Sequence, residues 1–302
     1  MDNYDYVQVT AETFVNSRKD YRDWRMAFCR EILQNAFDSG AENIEIKIEG
    51  GYIEVNDNGC GMTYDILKSK LFILNISGKE CKNGTVGGFG KAKEILFFSN
   101  TEYHIRTQNL YVHGVANRYK ISVTQDFIQG THIRILMNDP LFTIASWRHY
   151  FNEYGEKCYR QSAITINGKR IDTGNKSGRF LKEFSFGMLY EGNNDDCLDV
   201  LINGIFMFRT WCQGQKLLLE LKGNSYDTLL MNREGLKNQK ELDDFIWNLA
   251  KNTKSAFLQE KCKISLYHGV RGIFGEKKNS ALKETSSLST RFLKKKTPSR
   301  SN

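Results

Sequence analysis

The sequence predicts an α+β protein: a mixed, mostly antiparallel sheet with helices on one face, followed by a smaller α/β domain. Three observations point there. "NIEIKIE" (43–49) and "YIEVND" (52–57) alternate apolar with polar residues, as half-buried strands do. "EYHIRTQ", "LYVHGVA", "RYKISVTQ" and "GTHIRILM" repeat that alternation four times between Glu102 and Met137, the pattern of an antiparallel meander. Around these strands, apolar residues recur at helical spacing, so the layer is mixed.

Taken in order, "EILQNAFDSGA" (31–41) reads as a helix built on Ile32, Leu33 and Phe37. Its Glu31, Asn35 and Asp38 are offset by four and seven residues and share one face. Residues Thr63 to Ile76 have helical spacing through Ile66, Leu67, Phe72 and Ile73, a glycine-rich loop runs from Gly78 to Gly90, and a short helix follows to Phe98. After the meander, a helix over Ile144 to Tyr159 leads to the strand "AITINGKRI", and "DTGNKSG" (172–178) is the expected linker. Strand-like runs follow at Phe180 to Tyr190, Leu198 to Ile202, Ile205 to Arg209 and Lys216 to Leu221. The turn "NSYDTLLMNREGLKNQK" then leads into a long helix from Glu241 to about Gln259.

A chain of 302 residues with 40% hydrophobic content and 26% charge is globular in composition. Neither a basic, apolar leader at "MDNYDYVQVT" nor a bilayer-length apolar run is present, so the expected setting is cytoplasmic, without a membrane partner. Seven cysteines form no C-x-x-C pair and five histidines are scattered, so neither a disulfide scaffold nor a His/Cys metal site is expected. The net charge of +8 is localised: Lys263 to Asn302 hold ten Lys or Arg and two acids, leaving 33 of each sign elsewhere from totals of 43 and 35. This Ser/Lys-rich segment (263–302) is expected to be a flexible tail, either solubilising or attracted to nucleic acid or another acidic partner.

Two further motifs carry chemistry. In "NDNGCGM" (56–62), at a strand end, Asp57 can accept from a purine's exocyclic amine while Gly59 and Gly61 let a ring approach the backbone. In "NGTVGGFGKAK" (83–93), glycines before a helix can aim backbone N–H groups at phosphates, with Lys91 or Lys93 adding charge. It is not a Walker A loop, because Thr85 stands five before Gly90 and Ala92 follows Lys91; it is not a dinucleotide fingerprint either, because it follows a helix. Singly, these motifs also suit a solvated helix face, a hairpin turn and a surface loop.

Their order is more telling. "EILQNAFDSGAENIEIKI", "DNGCGMT", "ISGK", "GGFGKAK" and "GTHIRILM" resemble the ordered motifs of the GHKL ATPases, the superfamily of gyrase B, MutL, the heat-shock chaperones and sensor histidine kinases, over about Arg22 to Ile171. The resemblance implies a Bergerat-fold α/β sandwich that binds ATP and Mg²⁺. It implies Glu31 as the general base acting on the attacking water, Asn35 as the Mg²⁺ ligand and Asp38 as a supporting polar group one turn on. Asp57 matches the adenine-reading carboxylate, with Gly61 and Met62 against the base and Thr131 supporting Asp57 and its bridging water. Gly87, Gly88, Phe89, Gly90 and Lys91 match the lid end over the phosphates, although Ala92 stands where the family's third lid glycine falls. "LLMNREGLKNQKELDDFIWNLAKNTKSAFL" resembles the chaperones' middle domain and the transducer domain of the clamp proteins, which implies Arg233 as a finger toward the γ-phosphate.

The expected organisation is therefore an ATP-binding domain over 1–172, a transducer-like domain over 173–262 and the basic tail. The expected function is an ATP-hydrolysing clamp that forms a homodimer on binding ATP. Two alternatives are a nucleic-acid-binding module that uses ATP only as a switch, and a GHKL protein kinase, against which stands the absence of His from the first 21 residues.

Overall fold

The computed structural model describes residues 9–74, 92–174, 178–212, 214–223, 228–230, 234–237 and 239–252. A short helix, α1 (Ala11–Asn16), precedes α2 (Trp24–Asp38). The sequence reading did not anticipate α1; a single buried residue, Phe14, anchors it edge-on to Phe98 with ring centroids 5.1 Å apart. Asp23 begins α2, its carboxylate accepting from the N–H groups of Arg25 (3.0 Å) and Met26 (3.3 Å), which satisfies two otherwise orphaned donors.

Strands β1 (Asn43–Glu49) and β2 (Tyr52–Asp57) form a hairpin around Gly50-Gly51, whose φ values of 55° and 84° are the left-handed geometry a two-residue turn demands. The helix expected from Thr63 begins as α3 (Tyr64–Ile66), capped by the Thr63 hydroxyl, and widens into a looser turn over Leu67–Leu71. Its expected end at Ile76 lies outside the described residues, as does the loop from Gly78 to Gly90. The expected short helix is present as a helical turn over Glu94–Phe98.

The four meander segments are two long strands, β3 (Glu102–Val115) and β4 (Arg118–Leu136), with register shifts around Gln108. There follow α4 (Ile144–Glu156) and a hairpin of β5 (Ala163–Ile166) and β6 (Lys169–Ile171), turned at Asn167-Gly168. The first sheet has the order β3-β4-β2-β1-β5-β6, and β1 against β5 is its one parallel pairing. One face of it is apolar: Ile44, Ile46, Ile48, Ile53, Val55, Tyr103, Ile105 and Ile135 are buried. Helix α2 packs on α4, with Phe28 edge-on to Trp147 at 5.2 Å. A mixed, mostly antiparallel sheet with helices on its apolar face is what the alternation predicts.

Beyond it lie β7 (Phe180–Phe184), β8 (Gly187–Glu191), β9 (Cys197–Ile202), β10 (Ile205–Trp211) and β11 (Lys216–Leu221), so the single run expected over Phe180 to Tyr190 is a hairpin. Their order is β10-β9-β11-β8-β7, with β9 and β11 parallel. Helix α5 (Lys240–Asn252) buries Leu242 and Ile246 in the same core. The two sheets belong to one compact unit: the Tyr154 hydroxyl donates to Phe206 O at 2.8 Å, and the Tyr159 N–H donates to Gly204 O at 2.7 Å. Among the described residues no helix is long and apolar enough to cross a membrane. The basic segment 263–302 lies outside the described residues.

Candidate functional site

Helix α2 supplies one wall of the site. Most of its length is buried, so Glu31 does not stand on a solvated face: it is 4% exposed, while Asn35 and Asp38 are half-buried. The helix ends at Ser39, whose N–H donates to Asn35 O at 3.1 Å, and Gly40 takes a left-handed φ of 78° to let the chain leave.

Strand β2 brings Asp57 to that helix end. Its Oδ1 accepts from the Gly59 N–H at 2.9 Å and, weakly, from the Ser39 hydroxyl at 3.4 Å, a hydroxyl that gives its proton mainly to Ala36 O at 2.7 Å. The backbone N–H of Thr131 is a third donor. Burial pushes the Asp57 carboxyl above its usual range, more than these three hydrogen bonds and nearby His132 pull it down. A carboxylate offers about four acceptor positions, so three donors leave room for one more.

Asp57, Thr131 and Thr107 form a single row across β2, β4 and β3, since Asp57 pairs with Thr131 and Thr131 with Thr107. All three are buried. The Thr107 hydroxyl accepts from the Met62 N–H at 2.7 Å and donates to Gly130 O at 3.0 Å, which fastens the loop after β2 to the sheet. The hydroxyl that holds this loop is therefore that of Thr107; Thr131 contributes its backbone.

The glycines have specific reasons to be small. A Cβ on Gly59 would stand 1.8 Å from Ser39 Oγ and 2.8 Å from Ser39 O, so its bareness lets the loop lie against the end of α2. Gly61, at φ 69°, would press a Cβ to 2.7 Å from Thr107 Oγ1.

About two and a half turns back along α2, roughly 13.5 Å from Ser39 at 1.5 Å per residue, Arg30 donates from Nε to Glu31 Oε1 at 3.2 Å. Its Nη1 reaches Met207 O of β10 at 3.4 Å. Arg30 thus touches both the candidate base and the second sheet. Lys93, just past the glycine-rich segment, donates to Lys70 O (2.7 Å) and Ile73 O (2.5 Å) and so ties that segment's end to the turn after α3. Burial lowers its ammonium pKa to about 8, against a weaker raising effect of Glu94.

The structure accordingly gathers Asp57, Gly59, Gly61, Met62 and Thr131 at the end of α2, on which Asn35, Asp38 and Glu31 follow. Gly87, Gly88, Phe89, Gly90, Lys91 and Arg233 lie outside the described residues. Sequence reasoning missed Ser39, Arg30 and Thr107. The first follows directly after Asp38 and the second directly precedes Glu31, so local inspection could have found them; Thr107 joins the site only through strand register.

No family model matches the chain, and no curated protein matches it in sequence. Its architecture has solved counterparts. The ATPase region of Saccharomyces cerevisiae topoisomerase II matches over 78% of this chain and 84% of that one, with a TM-score of 0.51 and 13% identity. The same region bound to ICRF-187 (dexrazoxane) matches over 60% of this chain, at a TM-score of 0.45 and 15% identity, and this chain spans 62% of its length. At such identity the likeness is one of fold. The element order, the mixed sheet with helices on one face and this likeness agree: the chain has the GHKL-type α/β-sandwich fold, the fold of the topoisomerase II ATPase region.

Proposed function

We propose that this chain binds and hydrolyses ATP with Mg²⁺, and that nucleotide binding closes it as a dimerising clamp on a protein or nucleic-acid client. The observation that carries the proposal is the Asp57 carboxylate: buried, oriented by the backbone N–H groups of Gly59 and Thr131 with a long contact from Ser39, and with acceptor capacity left for an adenine amine. The other residues present fit the nucleotide. An elongate ligand that starts at Asp57 runs along α2 past Asp38 and Asn35 toward Glu31, about 12 Å on. Mg²⁺ keeps several waters and takes phosphate oxygens, so one side-chain oxygen, that of Asn35, is an adequate protein ligand. Bound there, the ion would neutralise phosphate charge.

In this reading Glu31 takes the proton of the attacking water. Gly87, Gly88, Phe89, Gly90 and Lys91 close over the phosphates, and Arg233 reaches them from the 173–262 domain. Of the two sheets, the 1–172 part holds the nucleotide and the 173–262 part senses it. The basic segment 263–302 is the part that would hold an acidic client.

ATP turnover and molecular mass of the full chain, measured with and without Mg²⁺, an ATP analogue and DNA, test this reading. The expected result is Mg²⁺-dependent turnover that falls at limiting ATP on Asp57→Asn, with a doubling of mass on binding the analogue. No binding of ATP to the folded chain, or turnover untouched by Asp57→Asn, overturns it.

A further inference from the structure

Away from the α2 site, strand β3 brings together three residues that the sequence leaves apart. Glu102 and His104 lie near its start and His113 lies nine residues after His104. The strand doubles back at Gln108, which takes a φ of 51°. The two halves then lie side by side, and His113 meets Glu102 while Tyr111 meets His104.

The convergence is on one atom. His113 Nε2 is 2.8 Å from Glu102 Oε1, and His104 Nε2 is 3.3 Å from the same oxygen. The two imidazoles lie with centroids 5.1 Å apart and planes 10° from parallel, and each turns its Nε2 to Glu102. All three ligand atoms lie within 4.8 Å of one another. In a tetrahedral Zn²⁺ site with bonds of about 2.0–2.1 Å, ligand atoms stand roughly 3.3 Å apart, so small side-chain adjustments make room for an ion.

We propose that Glu102, His104 and His113 form a binding site for a divalent transition-metal ion of the Zn²⁺ class. Tyr111 acts as its outer-shell partner: the Tyr111 hydroxyl is 2.7 Å from His104 Nδ1. With Nδ1–H donating to that hydroxyl, the Nε2 lone pair faces the carboxylate, and the space between these two acceptors takes either a proton or a metal ion. Two cations stand opposite the histidines in register, Arg134 against His104 and Lys120 against His113; Arg134 spends its guanidinium elsewhere, with Nε 2.8 Å from Glu54 Oε1 and its Cζ 3.8 Å above the Tyr52 ring. Two nitrogens and one oxygen suit Zn²⁺ better than Mg²⁺ or Ca²⁺. Three protein ligands leave a position for water, so the site is open. It lies on the sheet face opposite the buried row of Tyr103, Ile105 and Thr107, and is therefore separate from Asp57. An ion there clamps the two halves of β3 across the bend.

The test uses the full chain, stripped of metal with a chelator and titrated with Zn²⁺ against a chromophoric competitor. In parallel, Co²⁺ is added and read in the visible spectrum. The expected result is one bound ion with nitrogen and oxygen ligation, a melting temperature that rises with Zn²⁺, and loss of both in His104→Ala and His113→Ala. His149→Ala, a change of an exposed histidine on α4, should leave both unchanged. Tyr111→Phe keeps every ligand and weakens binding about ten-fold through the outer shell, so it reports on the site even if a ligand variant fails to fold. Absence of uptake by the wild type, or undiminished uptake by the His104→Ala/His113→Ala double variant, overturns the proposal. So does a cobalt spectrum dominated by thiolate bands.

Discussion

The Arg30 guanidinium lies against the Glu31 carboxylate, Nε to Oε1 at 3.2 Å, with both side chains almost wholly withdrawn from solvent. Adjacent residues on a helix do not usually face one another. Here Arg30 bends toward its neighbour while reaching Met207 O of β10, so the candidate base is held from the second sheet's side.

Two variants of Glu31 should therefore differ in stability but not in chemistry. Glu31→Ala takes the carboxylate from a buried guanidinium that keeps Met207 O, and should cost up to about 3–5 kcal/mol of stability, whereas Glu31→Gln keeps an acceptor and costs less. Both should lower ATP turnover by roughly 100- to 10,000-fold, the usual worth of a general base, with little change in ATP affinity. Denaturant melts beside steady-state turnover check this, and wild-type turnover in Glu31→Gln would remove the residue from the chemistry.

Asp57→Asn should weaken ATP binding by about five- to one hundred-fold, the effect of an unmet buried polar group worth about 1–3 kcal/mol. Because burial raises the Asp57 pKa, ATP affinity of the wild type should fall as pH drops through a value above the ordinary carboxylate range, where the acceptor becomes protonated. Calorimetric titrations of both proteins at several acidic pH values should show that slope in the wild type and not in the variant.

Thr107→Val removes a hydroxyl without changing shape, and leaves the Met62 N–H and Gly130 O without their partner. Stability should drop by about 1–3 kcal/mol, and ATP affinity should weaken although Thr107 itself need not touch the ligand. Thr107→Ser, which restores the hydroxyl, should recover most of both.

Asp139 tests the scaffold rather than the site. Burial works to raise its pKa, but two hydrogen bonds from Arg25 (2.6 and 2.8 Å), with the Leu141 N–H and the Trp147 indole, outweigh it and hold the carboxyl below its usual range. A depressed carboxylate pKa gives stability that is complete above the unfolded value and is lost as pH falls through the folded one. Asp139→Asn should accordingly cost about 3 kcal/mol at neutral pH, and the gap to wild type should close below about pH 4. A gap independent of pH would show that packing, not charge, is at stake.

The parts of this protein that were legible in its sequence are those written in short-range periodicity. Alternation in 43–57 and 102–137 gave strands, and the offsets among Glu31, Asn35 and Asp38 gave one helix face. The strand ends were less legible because the turns are local conformational choices: Asn167-Gly168 splits one expected strand into β5 and β6, and Phe184 to Gly187 splits another into β7 and β8. Thr107 was hidden for a different reason, since its place beside Thr131 depends on which residues of β3 and β4 pair. The five histidines looked scattered in the chain, and the turn at Gln108 brings two of them to one carboxylate.

The tight seat of Gly59 also has an evolutionary consequence. A methyl group there would meet the Ser39 side chain at 1.8 Å, and shrinking residue 39 does not relieve it, because the backbone oxygen at 2.8 Å stays in place. No compensating exchange at position 39 can rescue a larger residue at 59. Among descendants of this chain that retain this helix end, drift at position 59 is closed, and a lineage that loses the glycine must first move the end of α2.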